Sequence, residues 1–183
     1  METYMEEYVK RKTPRLQNFD YSSCGAYFIT ICTENRRCIL SNIVGTGVPD
    51  CPCVQLTKYG EIAEKYIKQL DAFYDHISID SYVIMPNHIH IMLFIHSNGQ
   101  LNEIQESGQS RTPVPTKANS VYSQFISTFK RFCNKEYGVN IWQSRSYDHV
   151  IRDRRDYDEH TKYIYENPIR WQYDKLYSDL IES

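Results

Sequence analysis

The chain has little of what announces a function at first reading. Its 183 residues carry a formal net charge of only −2, so there is no overall basic excess to mark a nucleic-acid binder. Six cysteines are present, but none forms a C-x-x-C pair, and Cys51-Pro-Cys53 has the wrong spacing for an ordinary zinc knuckle. No apolar run approaches the roughly 20 residues that span a bilayer, which argues against a membrane-spanning helix. The opening Met1-Glu-Thr-Tyr-Met-Glu-Glu lacks the apolar core of a secretory signal. A reduced, cytoplasmic protein with no membrane partner is the expectation.

What is present is more informative. The length suits one domain, and an apolar fraction of 41% is ordinary for a globular chain. Aromatics reach 14%, mostly through 16 tyrosines. Such rings can stack on bases, although most tyrosines simply pack with the hydroxyl at the surface. Basic residues are clustered rather than abundant. Lys10, Arg11, Lys12 and Arg15 lie near the start, Lys130, Arg131 and Lys135 on one predicted helix, and Arg152, Arg154 and Arg155 further on. A local patch of this kind can hold phosphate on a nearly neutral protein, or be no more than a solvated face.

The pattern predicts an arm over residues 1–20, one domain over 21–175 and a tail over 176–183. Residues 26–33 (AYFITICT) read as a strand, being β-branched and aromatic. Residues 41–55, with Gly45, Gly47, Pro49 and Pro52, read as a loop. Thr57 caps a helix running to Tyr74, with Ile62, Ala63, Tyr66, Ile67 and Leu70 at helical spacing. Strands follow at 77–85 and 88–95, separated by Pro86-Asn87. Residues 97–117 are polar and aperiodic and read as a second, mobile loop. A helix over 119–136, a strand over 146–151 and a helix over 153–167, ended by Pro168, complete the chain. The order β-α-β-β-α-β is ferredoxin-like and predicts an α+β fold: an antiparallel sheet with helices on one face, plus a C-terminal helix. Such a fold alone says little about activity.

Two local patterns carry chemistry. On the strand after Pro86, Ile89, Ile91, Leu93 and Ile95 alternate to one face, and His88 and His90 share the other. Two imidazoles at that spacing can converge on one divalent ion, though an H-x-H can equally be two polar residues on a wet sheet face. His96 has the same parity but lies at the strand end and reads as surface. On the last helix, Tyr163 and Asn167 are four apart and share a face. Packing for the tyrosine and helix capping for the asparagine are the plainer readings.

Taken together, Met85-Pro-Asn-His-Ile-His90, Ile141-Trp-Gln143, Tyr147-Asp-His-Val-Ile-Arg152 and Tyr163-Ile-Tyr-Glu-Asn-Pro168, in this order, resemble the REP-associated tyrosine transposases, within the wider single-tyrosine HUH transposases. The resemblance runs from about residue 20 to residue 172. It implies Tyr163 as nucleophile, His88 and His90 as metal ligands and Asn167 as a third ligand. Tyr165 is the rival nucleophile, but it points to a different helical face and has Ile169 four residues on. The resemblance also implies Mg2+ or Mn2+ as cofactor, single-stranded or hairpin DNA as partner, and a monomer or homodimer. Cleavage would link Tyr163 to a 5′-phosphate and free a 3′-hydroxyl, dividing one strand transfer into two steps. Lys130 and Arg131 follow Ile126-Ser-Thr-Phe, similar to the family's S-x-F-K helix, and would hold the DNA backbone. His149 is a candidate supporting group behind the ligands, with a structural hydrogen bond as its alternative. Because the ligand imidazoles must be neutral, activity is expected to fail in mild acid. A hairpin-binding protein without catalysis, and a metal phosphodiesterase that uses water, stay open as alternatives. The loops at 41–55 and 97–117, larger than a minimal relative needs, and the acidic balance depart from the family pattern.

Overall fold

The computed structural model describes residues 23–45, 52–96 and 120–177. The predicted arm, the predicted loop at 97–117 and the first basic cluster therefore lie outside the described residues. A four-stranded antiparallel sheet forms the centre: β1 (Gly25–Cys32), β4 (Ile77–Ile84), β5 (His88–Ile95) and β6 (Tyr147–Val150). Its spatial order is β4-β5-β1-β6. With helices α1 (Lys58–Phe73) and α2 (Val121–Tyr137) as crossovers, this is the predicted ferredoxin-like arrangement.

Local chemistry sets the element boundaries. The Thr57 side chain accepts from the Gly60 amide and starts α1. Ser120 does the same for α2 through the Ser123 amide, and Gly138 ends that helix with φ 72°. Asp153 caps α3 (Arg154–Glu166) by accepting from the Asp156 amide.

Alternation along β1 divides the core in two. Tyr27, Ile29 and Ile31 join Ile89, Ile91, Leu93 and Ile95 beneath the apolar faces of α1 and α2. Ala26 and Phe28 turn the other way and pack with Val83, Met85, Met92, Ile164 and Trp171. The predicted layout had helices on one face plus a C-terminal helix. That helix, α3, proves to lie across the second face, over β4 and β5. The face bearing His88 and His90 is therefore covered, and the wet-face reading of the H-x-H fails: His88 is 0% exposed and His90 2%.

The segment 41–55, expected to be a loop, contains a hairpin: β2 (Ser41–Val44) pairs antiparallel with β3 (Cys53–Leu56). Ile43 and Val54 from this hairpin pack against the second core, and burying them favours pairing across the Gly/Pro-rich stretch. Elsewhere the boundaries differ from expectation by a residue or two. A register shift between Ile79 and Ser81 in β4 frees Asp80 to accept from the Tyr157 hydroxyl of α3 at 2.8 Å.

Candidate active site

The turn Met85-Pro86-Asn87 between β4 and β5 delivers His88 and His90 to the α3 side of the sheet. Their ring centroids are 4.4 Å apart. Across the ladder, Thr30 stands directly opposite His90, so their side chains share a face. Thr30 Oγ1 lies 2.9 Å from His90 Nδ1. His88 Nδ1 lies 2.8 Å from the Asn87 side-chain oxygen, and the amide nitrogen of Asn87 donates to the Leu176 carbonyl at 2.8 Å. That second bond fixes which way the Asn87 amide faces. Its oxygen can only accept, so His88 carries its proton on Nδ1, and Nε2 is a bare lone pair.

Both Nε2 atoms are buried, and neither has a hydrogen-bond partner. The Asn167 Oδ1 atom is in the same condition, in a residue 1% exposed. Ser81 Oγ, Trp142 Nε1 and Thr161 Oγ1 are also buried without partners, but singly. The two imidazoles and Asn167, in contrast, are brought together by Asp174. One carboxylate oxygen of Asp174 accepts from the Tyr163 hydroxyl at 2.7 Å and from the Asn167 amide at 2.8 Å. Its ligand atom and those of His88 and His90 all lie within 4.8 Å of one another. A buried polar atom without a partner is unfavourable by about 1–3 kcal/mol, so two unpartnered imidazole nitrogens with a carboxylate beside them call for an occupant. Imidazole nitrogen, amide oxygen and carboxylate suit a divalent cation. The donor set therefore fits the implied metal.

Tyr163 stands over this cluster in the same chain. Its ring centroid is 5.2 Å from that of His90, and Phe28 stacks against His90 at 4.9 Å and meets Tyr163 edge-on at 6.0 Å. Tyr163 is 38% exposed, so a strand in solvent could reach it. Tyr165, the rival, is 70% exposed and turned away. Asn167 precedes a proline yet keeps right-handed helical angles (φ −56°, ψ −42°), which holds its amide on the Tyr163 face. Beyond it, Trp171 covers His88 at a centroid distance of 5.9 Å.

Electrostatics keep the pair neutral. Burial, with help from the Arg36 charge, pushes His88 down to about 3. Burial also lowers His90, and the neighbouring His88 adds to the effect. The expected failure in mild acid therefore does not follow from these imidazoles, because desolvation protects them from protonation.

The other sequence candidates fall elsewhere. Lys130 closes a loop, its ammonium donating to the carbonyls of Gln143, Ser144 and Arg145 at 2.7, 3.4 and 3.2 Å. Arg131 is exposed beside the Phe132 ring. His149 bonds Asp156 of α3 and touches none of the site residues through a hydrogen bond. The Ile141-Trp-Gln143 motif is structural: Trp142 is 1% exposed and bridges to Thr33, and the Gln143 amide donates to the Cys32 carbonyl. Sequence reasoning missed Asp174, which lies beyond the helix with no periodic relation to the motif. It also missed Thr30 and Asn87, whose parts appear only once the strands pair.

No family profile matches the chain. The fold is similar to the solved structure of a REP-associated tyrosine transposase bound to a REP hairpin, with TM-score 0.56 and 20% identity, covering 92% of this chain and 95% of that one. The two chains thus share a fold. In sequence, an uncharacterised protein of Haemophilus influenzae (strain Rd) is 31% identical over 92% of this chain and 94% of its own length. The REP-associated tyrosine transposase of Escherichia coli K12 is 27% identical over 87% of this chain and 75% of its own. A putative REP-associated tyrosine transposase of H. influenzae is 26% identical over 87% and 79%. Along most of its length the chain is thus similar to REP-associated tyrosine transposases.

Proposed function

We propose that this protein is a transposase: a metal-dependent endonuclease and strand transferase of the HUH class, acting on single-stranded DNA at or near hairpins. The observation that carries this reading is the meeting of His88, His90 and Asp174, whose ligand atoms lie within 4.8 Å of one another, beside Tyr163 and with both imidazole Nε2 atoms buried and without a hydrogen-bond partner. His88, His90 and Asn167 would hold a divalent ion, Mg2+ or Mn2+, with Asp174 within reach as a further ligand. When bound, the ion polarises a phosphate and offsets the charge that develops on its oxygens.

The chain's own residues do the rest. Asn87 and Thr30 aim the two imidazoles. Phe28 and Trp171 keep the inner side dry. Asp174 holds the Tyr163 hydroxyl by accepting its proton in a hydrogen bond, and so stands where that proton can go as the oxygen attacks phosphorus. The Tyr163 oxygen forms the new P–O bond, and the 3′-oxygen of the preceding nucleotide leaves with a proton. The 5′-phosphotyrosine link keeps the strand ready for rejoining by a 3′-hydroxyl. The exposed Arg131 and the Arg152–Arg155 region would contact phosphates in a sequence-independent, salt-sensitive way, and Lys130 would contribute mainly by holding the 143–145 loop.

The test is incubation with a single-stranded oligonucleotide carrying a hairpin from the flanks of its own gene, with Mn2+ or Mg2+, on a denaturing gel. A protein–DNA adduct is expected for the unaltered protein and none for Tyr163→Phe, with hairpin binding retained. Cleavage that survives Tyr163→Phe overturns the assignment in favour of activated water.

A further inference from the structure

A second group of metal-type ligands lies outside the site just described, and strand transfer makes no use of it. In the β1–β6 ladder, His149 stands opposite Phe28, so it projects toward α3. From the first two turns of α3, Asp156 and His160 project together, being four residues apart. The three meet. His149 Nε2 lies 3.0 and 2.9 Å from Oδ1 and Oδ2 of Asp156, and His160 Nδ1 lies 3.0 Å from Oδ1. The two rings stack at 4.5 Å and 15°. His160 in turn packs on Phe28 at 4.7 Å.

We propose that His149, Asp156 and His160 form a second divalent-metal site, suited to a borderline transition ion such as Zn2+ or Co2+ and not to Mg2+. Two imidazoles and one carboxylate are ligands that such ions favour, whereas Mg2+ takes imidazole only where substrate phosphates and water complete an oxygen-rich shell, as DNA would at the His88–His90 site but not here. The spacing allows it: bonds of about 2.1 Å place neighbouring donors about 3.0–3.4 Å apart, close to the two histidine–carboxylate distances, and all three ligand atoms lie within 4.8 Å of one another. The side chains are 29%, 19% and 14% exposed, enough for water to complete the shell from outside.

Entry of the ion requires His149 Nε2 and His160 Nδ1 to give up the hydrogens they now share with Asp156, Nδ1 also donating to the Asp156 carbonyl at 2.9 Å. Each ring then turns that nitrogen's lone pair to the ion and keeps its hydrogen on the opposite nitrogen. Asp156 is suited to the task. Burial opposes its charge, but bonds from His149 and the Arg152 amide, together with both imidazoles, outweigh burial and hold the carboxyl below its usual range. The filled site would pin β6 to the first two turns of α3, as far as His160, three residues before the proposed nucleophile.

The test uses the full-length protein and metal alone. With Co2+, two equivalents are expected for the unaltered chain, and one for His149→Ala/His160→Ala. Because those substitutions also remove contacts of α3, the decisive reading is 15N NMR of the unaltered protein. On adding Zn2+, the imidazole nitrogens of His149 and His160 should shift to metal-bound values, and Mg2+ should leave them unchanged. His88 and His90 are read in the same spectra, so failure of one site is distinguishable from failure of the other. Unmoved His149 and His160 nitrogens at saturating Zn2+ would overturn the proposal and leave the triad a hydrogen-bonded strut.

Discussion

A histidine offered to a cation must have its other nitrogen tied, or the ring rotates and the wrong tautomer is presented. Asn87 does this for His88 and Thr30 for His90. Removing such a supporting contact typically weakens metal binding roughly 10–100-fold. Thr30→Val, nearly the same shape, should therefore lower Mn2+ affinity by about that factor in a calorimetric titration while leaving the circular dichroism spectrum unchanged. The same burial that readies the imidazoles makes stability depend on pH. In the unfolded chain a histidine takes its proton near 6.5, whereas His88 folded does so at about 3. Between those values the unfolded state binds the extra proton, so stability is complete above about 6.5 and falls with pH below it. The slope is about 1.4 kcal/mol per pH unit for His88, with His90 acting in the same direction. Urea unfolding of the metal-free protein at pH 7, 5.5 and 4.5 should show this decline, and His88→Asn should make it shallower.

At the level of elements, the strongest steric constraint lies where α1 leaves the hairpin. A Cβ on Gly60 would stand 2.1 Å from the Leu40 carbonyl oxygen and 3.2 Å from a Leu56 methyl carbon. The contact is with backbone and cannot swing aside, and overpacking of this kind costs about 1–3 kcal/mol or more. Gly60→Ala should accordingly lower the urea midpoint without changing the slope of the transition. Which elements could be read in advance follows from their physics. Helices α1 and α2 were legible because each has an apolar stripe and a capping hydroxyl. The β-α-β-β-α-β order then implied the sheet. The β2–β3 hairpin was not legible, since four-residue strands flanked by glycine and proline are stabilised by packing against distant residues rather than by local preference. The site was legible to the same degree: His88, His90, Tyr163 and Asn167 sit in short periodic motifs. Asp174, Thr30 and the His149–Asp156–His160 cluster depend on pairings between distant segments, which one strand or one helix cannot reveal.

For the molecule as a whole, the decisive fact is that every proposed catalytic group is assembled within one chain. Tyr163 stands beside His90 of its own sheet, and Asn167 shares Asp174 with it. If α3 were exchanged between two copies, mixing Tyr163→Phe with a His88→Ala/His90→Ala protein would restore one intact site. The geometry predicts no restoration: the mixture should form no more adduct on a denaturing gel than the separate variants do. Coverage of both sheet faces is also a whole-molecule property, and it explains why an H-x-H that looks solvent-facing in isolation becomes a dry, metal-ready pair. Among the described residues no helix is long and apolar enough to cross a membrane.

Phe28 touches His90, His160 and Tyr163 with a side chain that has no polar atom. It is the common floor of two separate clusters, so the alignment of the proposed nucleophile and ligands rests on an inert hydrocarbon plate. A catalogue of reactive groups would omit this residue, although a change in its width would tilt everything standing on it.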